Sequence, residues 1–322
     1  MLTQIRAVAI LGVSAMSDLI LSLCIMGGLT LISTGFGIWL QRRCSPPQVA
    51  MTVGAALAGM FVYLVWVWDS PLLVALLPFS SVVILGNWLA PVGGLLAGVC
   101  ACSVRVHVLR RVCLSTVLLG LCCYSLARPL LGTVPRCPSV EFERVLEFQT
   151  TEQTCSAACA AGLLRLHGID ASEREMAELC LTRRGTHWLG VYRGLKLKTE
   201  GTEWDVVAER LSGGEILQAA ATPGILSLSC HGWASARSQD SELPGLTGHS
   251  VVRLGSNRPG EVTVFDPSPD YGFGVWDESS LSGIQDAILL RLVSRRGTTV
   301  RTPASDSPDD LYQWNQVYWK RR

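Results

Sequence analysis

Carboxylates are almost missing from the first 134 residues of this 322-residue chain, where Asp18 and Asp69 are the only two. Charge is scarce overall, at 16% against 49% hydrophobic residues. That is low for an ordinary soluble domain and points to a membrane portion. The net charge of +1 supplies no basic field for a polyanion, so nucleic acid is not an expected partner. Paired C-x-x-C spacing is absent after residue 134, which removes the usual zinc frameworks. No G-x-x-x-x-G-K-[ST] occurs, so nothing is built to cradle nucleotide phosphates. The stretch "LSGGE" at 211–215 mimics a nucleotide-binding signature loop, but without a phosphate loop it reads as a helix end and a loop. No cofactor is implied.

What the first part has instead is long apolar runs. A span needs about 20 mostly apolar residues. Residues 19–40 qualify and end at Arg42–Arg43; residues 49–68 qualify and end at Asp69. Residues 71–104 exceed one span and are interrupted by Pro91; residues 112–134 form the last candidate, with Arg128 inside it. Four spans are expected, five if 71–104 crosses twice. Arg6, the apolar run 7–13 and "VSA" fit a cleaved signal loosely, but a retained segment suits the run that follows at once. Basic residues favour the cytoplasmic side, and they collect at Arg42–Arg43 and at Arg105, Arg110 and Arg111. Four spans put both clusters on one side and the rest of the chain on the exoplasmic face; five spans would make it cytoplasmic. An integral membrane protein in contact with the lipid bilayer is expected.

Beyond Pro135, Cys137 and Pro138 the charges become dense and mixed. The expected organisation is a helical transmembrane region over 1–134, a folded domain over 135–295 and a polar tail over 296–322, the tail carrying aromatic residues at Tyr312, Trp314, Tyr318 and Trp319. Five cysteines follow the boundary, Cys137, Cys155, Cys159, Cys180 and Cys230, an odd count that leaves at least one thiol free or paired outside the chain. Thr154 is placed to cap a helix whose apolar stripe runs Cys155, Cys159, Gly162, Leu163 and Leu166, and Gly168 to end it. Ser172 with Glu175 reads as a capping box for a second helix over 172–181, and 189–198 as a third. Four β-branched runs at 224–229, 249–255, 261–266 and 287–293 read as strands. Helices first, then strands, mean an α+β domain.

Cys155 is the first residue of its helix, where unpaired N–H groups and the dipole favour thiolate. A thiolate nucleophile needs a base and something to orient it. His167 lies too far down the same helix. The turn "GSNRPG" at 255–260 joins two strands, with His249 first in one and Asp266 last in the other. Equal distances from the turn centre predict that they face each other, with Cβ atoms about 4.5–5.5 Å apart. Gln149, six residues ahead of Cys155, could supply a side-chain amide to a developing oxyanion beside the Cys155 N–H. Taken alone, Cys155 reads as a small buried residue. Cys159 reads as core, His187 and His231 as polar loop or strand-edge residues, and His107 as interfacial. A metal pair from Cys155 and Cys159 with His231 or His249 has no supporting spacing.

The segments "QTTEQTCSAACAAGLLRLHG", "GHSVVRL" and "VFDPS" together resemble peptidase family C39, over about residues 147–293. The resemblance implies a papain-like fold following the transmembrane helices, and a thiol peptidase that removes leader peptides, usually after Gly-Gly. It implies Cys155 as nucleophile, His249 as base, Asp266 as orienting acid and Gln149 as oxyanion donor. Its partners would be a peptide or protein substrate, such as a leader peptide, and a separate exporter. Ser156 stands where the family usually has glycine, and its β-carbon could crowd the substrate. The order is also reversed, since the family's peptidase usually precedes its exporter and faces the cytoplasm. Two other readings share the residues: a leader-binding module without hydrolysis, and a transglutaminase-like acyl transferase.

Overall fold

The computed structural model describes residues 2–103, 107–138, 144–219, 222–228, 249–255, 258–281, 284 and 287–296, with side chains from Met16 onward. Arg105, Cys230, His231, the turn residues Ser256 and Asn257 and the aromatic cluster at 312–319 lie outside them. The chain divides into two compact units, Met1–Leu131 and Gly132–Arg322.

The first unit is all helix. Helix α1 runs unbroken over Leu2–Arg43. Helix α2, Pro46–Trp66, starts at a capping box in which Gln48 accepts from the Ser45 N–H at 2.9 Å, and Pro46 fills the first position where its missing N–H costs nothing. The stretch expected to break at Pro91 breaks earlier. Short helices α3 (Leu72–Leu76) and α4 (Val82–Leu85) precede α5 (Leu89–Ala101), and Pro91 sits harmlessly in the first turn of α5. Helix α6 covers Val108–Ala127, with His107 as its N-cap residue. Four segments are long and apolar enough to cross a membrane: Met16–Arg43, Pro46–Trp66, Val82–Ala101 and Val108–Leu130. Large apolar side chains such as Leu31, Met51, Phe61 and Leu109 are exposed on them. In water that surface would be very costly, and in lipid it is matched.

The seam between α1 and α5 is made of small residues. Gly94 and Gly98, one turn apart on α5, lie against the backbone of Thr30 and Thr34, and Gly37 of α1 lies against Leu95 and Val99. A β-carbon on Gly98 would press into the Thr34 carbonyl oxygen, which is backbone and cannot swing away. Close backbone approach is how helices gain contact in a solvent as apolar as their side chains. Gly98→Val should therefore cost about 1–3 kcal/mol, read as a lower melting temperature in detergent, whereas Gly120→Val, at a glycine with nothing within 4 Å, should change little.

The second unit is mixed helix and sheet. Helices α7 (Cys155–Leu166), α8 (Glu173–Leu179) and α9 (Trp188–Thr199) come first, with His187 as the N-cap of α9. A six-stranded antiparallel sheet follows: β1 (Trp204–Leu211), β2 (Gly224–Leu228), β3 (His249–Gly255), β4 (Glu261–Asp266), β5 (Gly272–Asp277) and β6 (Ala287–Ser294), in the order β1-β6-β2-β3-β4-β5. The two edge strands, β1 and β5, are the ones not expected from sequence. A short helix, α10 (Gly213–Gln218), separates β1 from β2. "LSGGE" is a strand end and a helix start rather than a helix end, with Glu215 accepting from the Ser212 N–H at 2.7 Å in a capping box. One face of the sheet buries Leu226, Val251, Val264, Trp276 and Leu289 with Ile216 of α10.

Helix α7 is buried on every side, not on the one stripe that the periodicity suggests. The positions off that stripe are Ser156, four alanines, Leu164 and Arg165. Small side chains let neighbouring elements close over them, and a helix covered all round sits inside its domain. Arg165 survives burial because its guanidinium donates to the Val145 and Ala171 carbonyls at 2.8 and 2.9 Å and pairs with Glu147 at 3.5 Å. Two cap expectations change. Thr154 caps nothing with its side chain; its hydroxyl donates to the Thr151 carbonyl at 2.9 Å. Ser172 accepts from the Glu175 N–H, but the Glu175 carboxylate pairs with Lys198 at 2.9 Å instead of closing the box. Gly168 ends α7 as expected, at φ +73°.

Candidate active site

The first turn of α7 abuts the first two residues of β3. Cys155 opens α7 and is buried. The His249 ring and the Ser250 main-chain N–H lie close enough to its sulfur for both to lower its thiol pKa. The other side of the His249 ring reaches Asp266, with Nε2 to Oδ2 at 2.9 Å. The remaining carboxylate oxygen, Oδ1, accepts the Ser268 N–H at 2.9 Å. That turn is local chemistry: an aspartate bonding the N–H two residues on holds its own side chain still. Asp266 is thereby fixed from behind and meets the imidazole from the front.

The strand register that brings this about is not the simple one. Val252 pairs with Phe265 and Arg253 with Val264, and a bulge between Arg253 and Gly255 shifts the ladder. Continued to the strand ends, that register sets Asp266 beside Val251, two residues from His249. A shift of two keeps side chains on one face, whereas a shift of one would have separated them. His249 and Asp266 are therefore diagonal neighbours rather than directly opposed, and the diagonal is still within reach of an imidazole and a carboxylate.

Electrostatics divides the two cysteines. Burial pushes the Cys155 thiol up, but hydrogen bonding and charge from His249, the Ser250 N–H and the Ser156 hydroxyl outweigh it, and the net shift is below the ordinary thiol value. His249 would be lowered by burial; its bonds to Asp266 and Cys155 overcome that and hold it up to about 10. The two shifts have opposite signs and one cause, a thiolate facing an imidazolium. Cys159, one turn on, is buried beside Cys155 and raised well above an ordinary thiol, as core. Cys137, Cys155, Cys159 and Cys180 are all free thiols. No cluster of metal-ligating side chains occurs among the described residues.

Gln149 is held at the same end of the sheet. Its N–H donates to the Pro267 carbonyl at 2.7 Å, and the preceding Phe148 packs on Phe265 at 5.6 Å between centroids. The side-chain Nε2 donates to the Thr151 carbonyl at 3.0 Å, and the reverse amide orientation would set two oxygens against each other. One Nε2 hydrogen remains, and Oε1 is buried without a partner among the described residues. Gln149 makes no hydrogen bond to Cys155, His249 or Asp266. The Ser156 hydroxyl turns inward to Ser250 at 2.8 Å. Ser250 is the residue that sequence reading missed. Its only signal is its place after His249, since both its main-chain N–H and its hydroxyl act through the fold.

No protein family's sequence profile matches the chain, and no curated protein matches it. Solved structures do. The peptidase domain of Streptococcus ComA, a bi-functional ABC transporter involved in a quorum-sensing pathway, is 17% identical over 47% of this chain and 98% of that one, with a TM-score of 0.35. The corresponding domain of Streptococcus mutans ComA is 20% identical over 45% and 97%, with a TM-score of 0.31. A double glycine motif protease from an AMS/PCAT transporter, solved in complex with the leader peptide, is 14% identical over 47% and 94%, with a TM-score of 0.35.

Proposed function

We propose that the protein is a membrane-anchored cysteine peptidase with a papain-like domain, cutting a peptide or leader after a small residue such as the second glycine of Gly-Gly. The observation that carries this reading is the continuous chain from the Cys155 sulfur through His249 to Asp266, with the thiol lowered and the imidazole raised. A merely buried cysteine has no use for a charged partner. The shift is the one a nucleophile needs, and the partner is the one a base needs.

In this mechanism the Cys155 thiolate adds to the scissile carbonyl, and the carbonyl oxygen takes the negative charge. The Cys155 N–H, at the positive dipole end of α7, and the spare Nε2 hydrogen of Gln149 receive that oxyanion. His249 gives its proton to the leaving amine as the C–N bond breaks, leaving an acyl thioester on Cys155. Neutral His249 then takes a proton from water, whose oxygen attacks the thioester. Loss of the carboxylate product returns Cys155 as thiolate and His249 as imidazolium. Asp266 keeps Nε2 engaged, so that the other ring nitrogen faces sulfur throughout. The four apolar segments hold this domain at the bilayer, on the exoplasmic face if all four cross, and a separate exporter would move the product.

The test is incubation of the full chain in detergent with peptides carrying Gly-Gly or Ala-Gly within a leader-like sequence, with products mapped by mass spectrometry. Cleavage on the carboxyl side of the small residue, absent in Cys155→Ala, is expected. No cleavage of any such peptide, with intact tight binding, would replace this reading with the non-hydrolytic one; amine incorporation into a glutamine substrate would favour the acyl transferase. Gln149→Ala should lower kcat about 10²- to 10³-fold with little change in KM, the signature of a donor engaged only in the transition state.

A further inference from the structure

The serines that follow the two central residues touch each other. Ser156 is bonded to Cys155 in sequence, Ser250 to His249, and their hydroxyl oxygens are 2.8 Å apart in a site where both side chains are buried. The Ser156 hydroxyl also lies 3.9 Å from the Cys155 sulfur. One turn further along α7, the Cys159 thiol donates to the Ser250 carbonyl at 3.3 Å. The helix bearing the nucleophile and the strand bearing the base are thus tied twice, both times at Ser250.

We propose that Ser156 and Ser250 form a positioning clamp that sets the Cys155 sulfur against the His249 ring and orients a hydroxyl donor onto the thiolate. The clamp rests on the reading of Cys155 and His249 as an active pair. Two hydroxyls carry two hydrogens. With Ser250 donating to Ser156, the Ser156 hydrogen is free for the sulfur, and the chain Ser250–Ser156–Cys155 runs in one direction. A glycine at 156, the residue usual in the resembling family, could neither bond β3 nor donate to the thiolate. This chain joins helix to strand by side chains.

The experiment is the pH profile of Cys155 alkylation by limiting iodoacetamide, mapped by mass spectrometry on the full chain in detergent. Wild type, His249→Ala, Ser156→Ala, Ser250→Ala, the double Ser156→Ala/Ser250→Ala and Ser250→Thr are compared, with melting temperatures alongside. A charge-assisted hydrogen bond is worth enough to move a titration by about one pH unit. Ser156→Ala and Ser250→Ala should each raise the midpoint of the Cys155 acid limb by about that much. The double variant should shift it no further than either single one, because the two act as a unit. Ser250→Thr keeps the hydroxyl and should keep the profile. A role confined to packing would lower melting temperature and leave the midpoint in place. An unmoved midpoint in Ser156→Ala and in Ser250→Ala, or fully additive shifts, overturns the clamp while an effect of His249→Ala leaves the active pair standing. Wild-type Cys155 that reacts no faster than the other thiols and ignores His249→Ala overturns the active pair and the clamp together.

Discussion

His249→Ala should abolish the fast alkylation of Cys155 near pH 6 and lower peptide cleavage about 10⁴-fold, the scale on which removal of one member disables a triad. The physical reason is that two stabilisations leave together. The thiolate loses its hydrogen bond and its counter-charge, and burial, which pushes the thiol up, is then opposed only by the Ser250 N–H and the Ser156 hydroxyl. The leaving amine also loses its proton source. The sign follows from the shifts. The thiol sits below its ordinary value and the imidazole is held up to about 10, so the ion pair spans a window from below the ordinary thiol value to about 10. In wild type, alkylation and cleavage should both be supported inside that window, and cleavage should fall off as pH rises through about 10, where the leaving-group acid is lost. In His249→Ala the rate of Cys155 should instead follow a buried thiol without its imidazolium partner, rising only at alkaline pH. Equal Cys155 rates in wild type and His249→Ala at pH 6 would end the thiolate–imidazolium reading.

Asp266→Asn should lower kcat about 10²- to 10⁴-fold and bring the alkaline limb of the cleavage profile down from about 10 by two pH units or more. Among the effects that raise His249, the hydrogen bond to Asp266 is the largest, and it opposes the lowering by burial. An amide can still hold the ring, because its oxygen can accept from Nε2, but it cannot hold the positive charge. Geometry and charge are therefore separable. Asp266→Asn should keep the melting temperature near wild type while the limb moves. Asp266→Ala should lose the tie to the Ser268 N–H as well and fall further in rate. An Asp266→Asn enzyme with an unshifted limb would mean that the carboxylate only packs. The measurement is kcat/KM against pH between 5 and 11 on the full chain.

Sequence alone determined what depends on neighbours along the chain. The composition break after residue 134, the apolar runs, the start of α7 at Cys155, its stop at Gly168 and the spans of β3 and β4 are all local, set by periodicity, turn residues and helix ends. The candidate residues could be named for the same reason, as residue types at spacings that chemistry requires. Tertiary structure decided what depends on contacts between distant segments. The β3–β4 register turned on a bulge that no pattern in "GSNRPG" announces, and a shift of two rather than one kept His249 and Asp266 on one face. The burial of α7 on all sides came from the elements that close over its alanines. The edge strands β1 and β5 form because β6 and β4 offer them hydrogen-bonding partners. The inward turn of Ser156 onto Ser250, 94 residues away, could be seen only once helix and strand met, because a hydroxyl's partner is chosen by the fold and not by the chain.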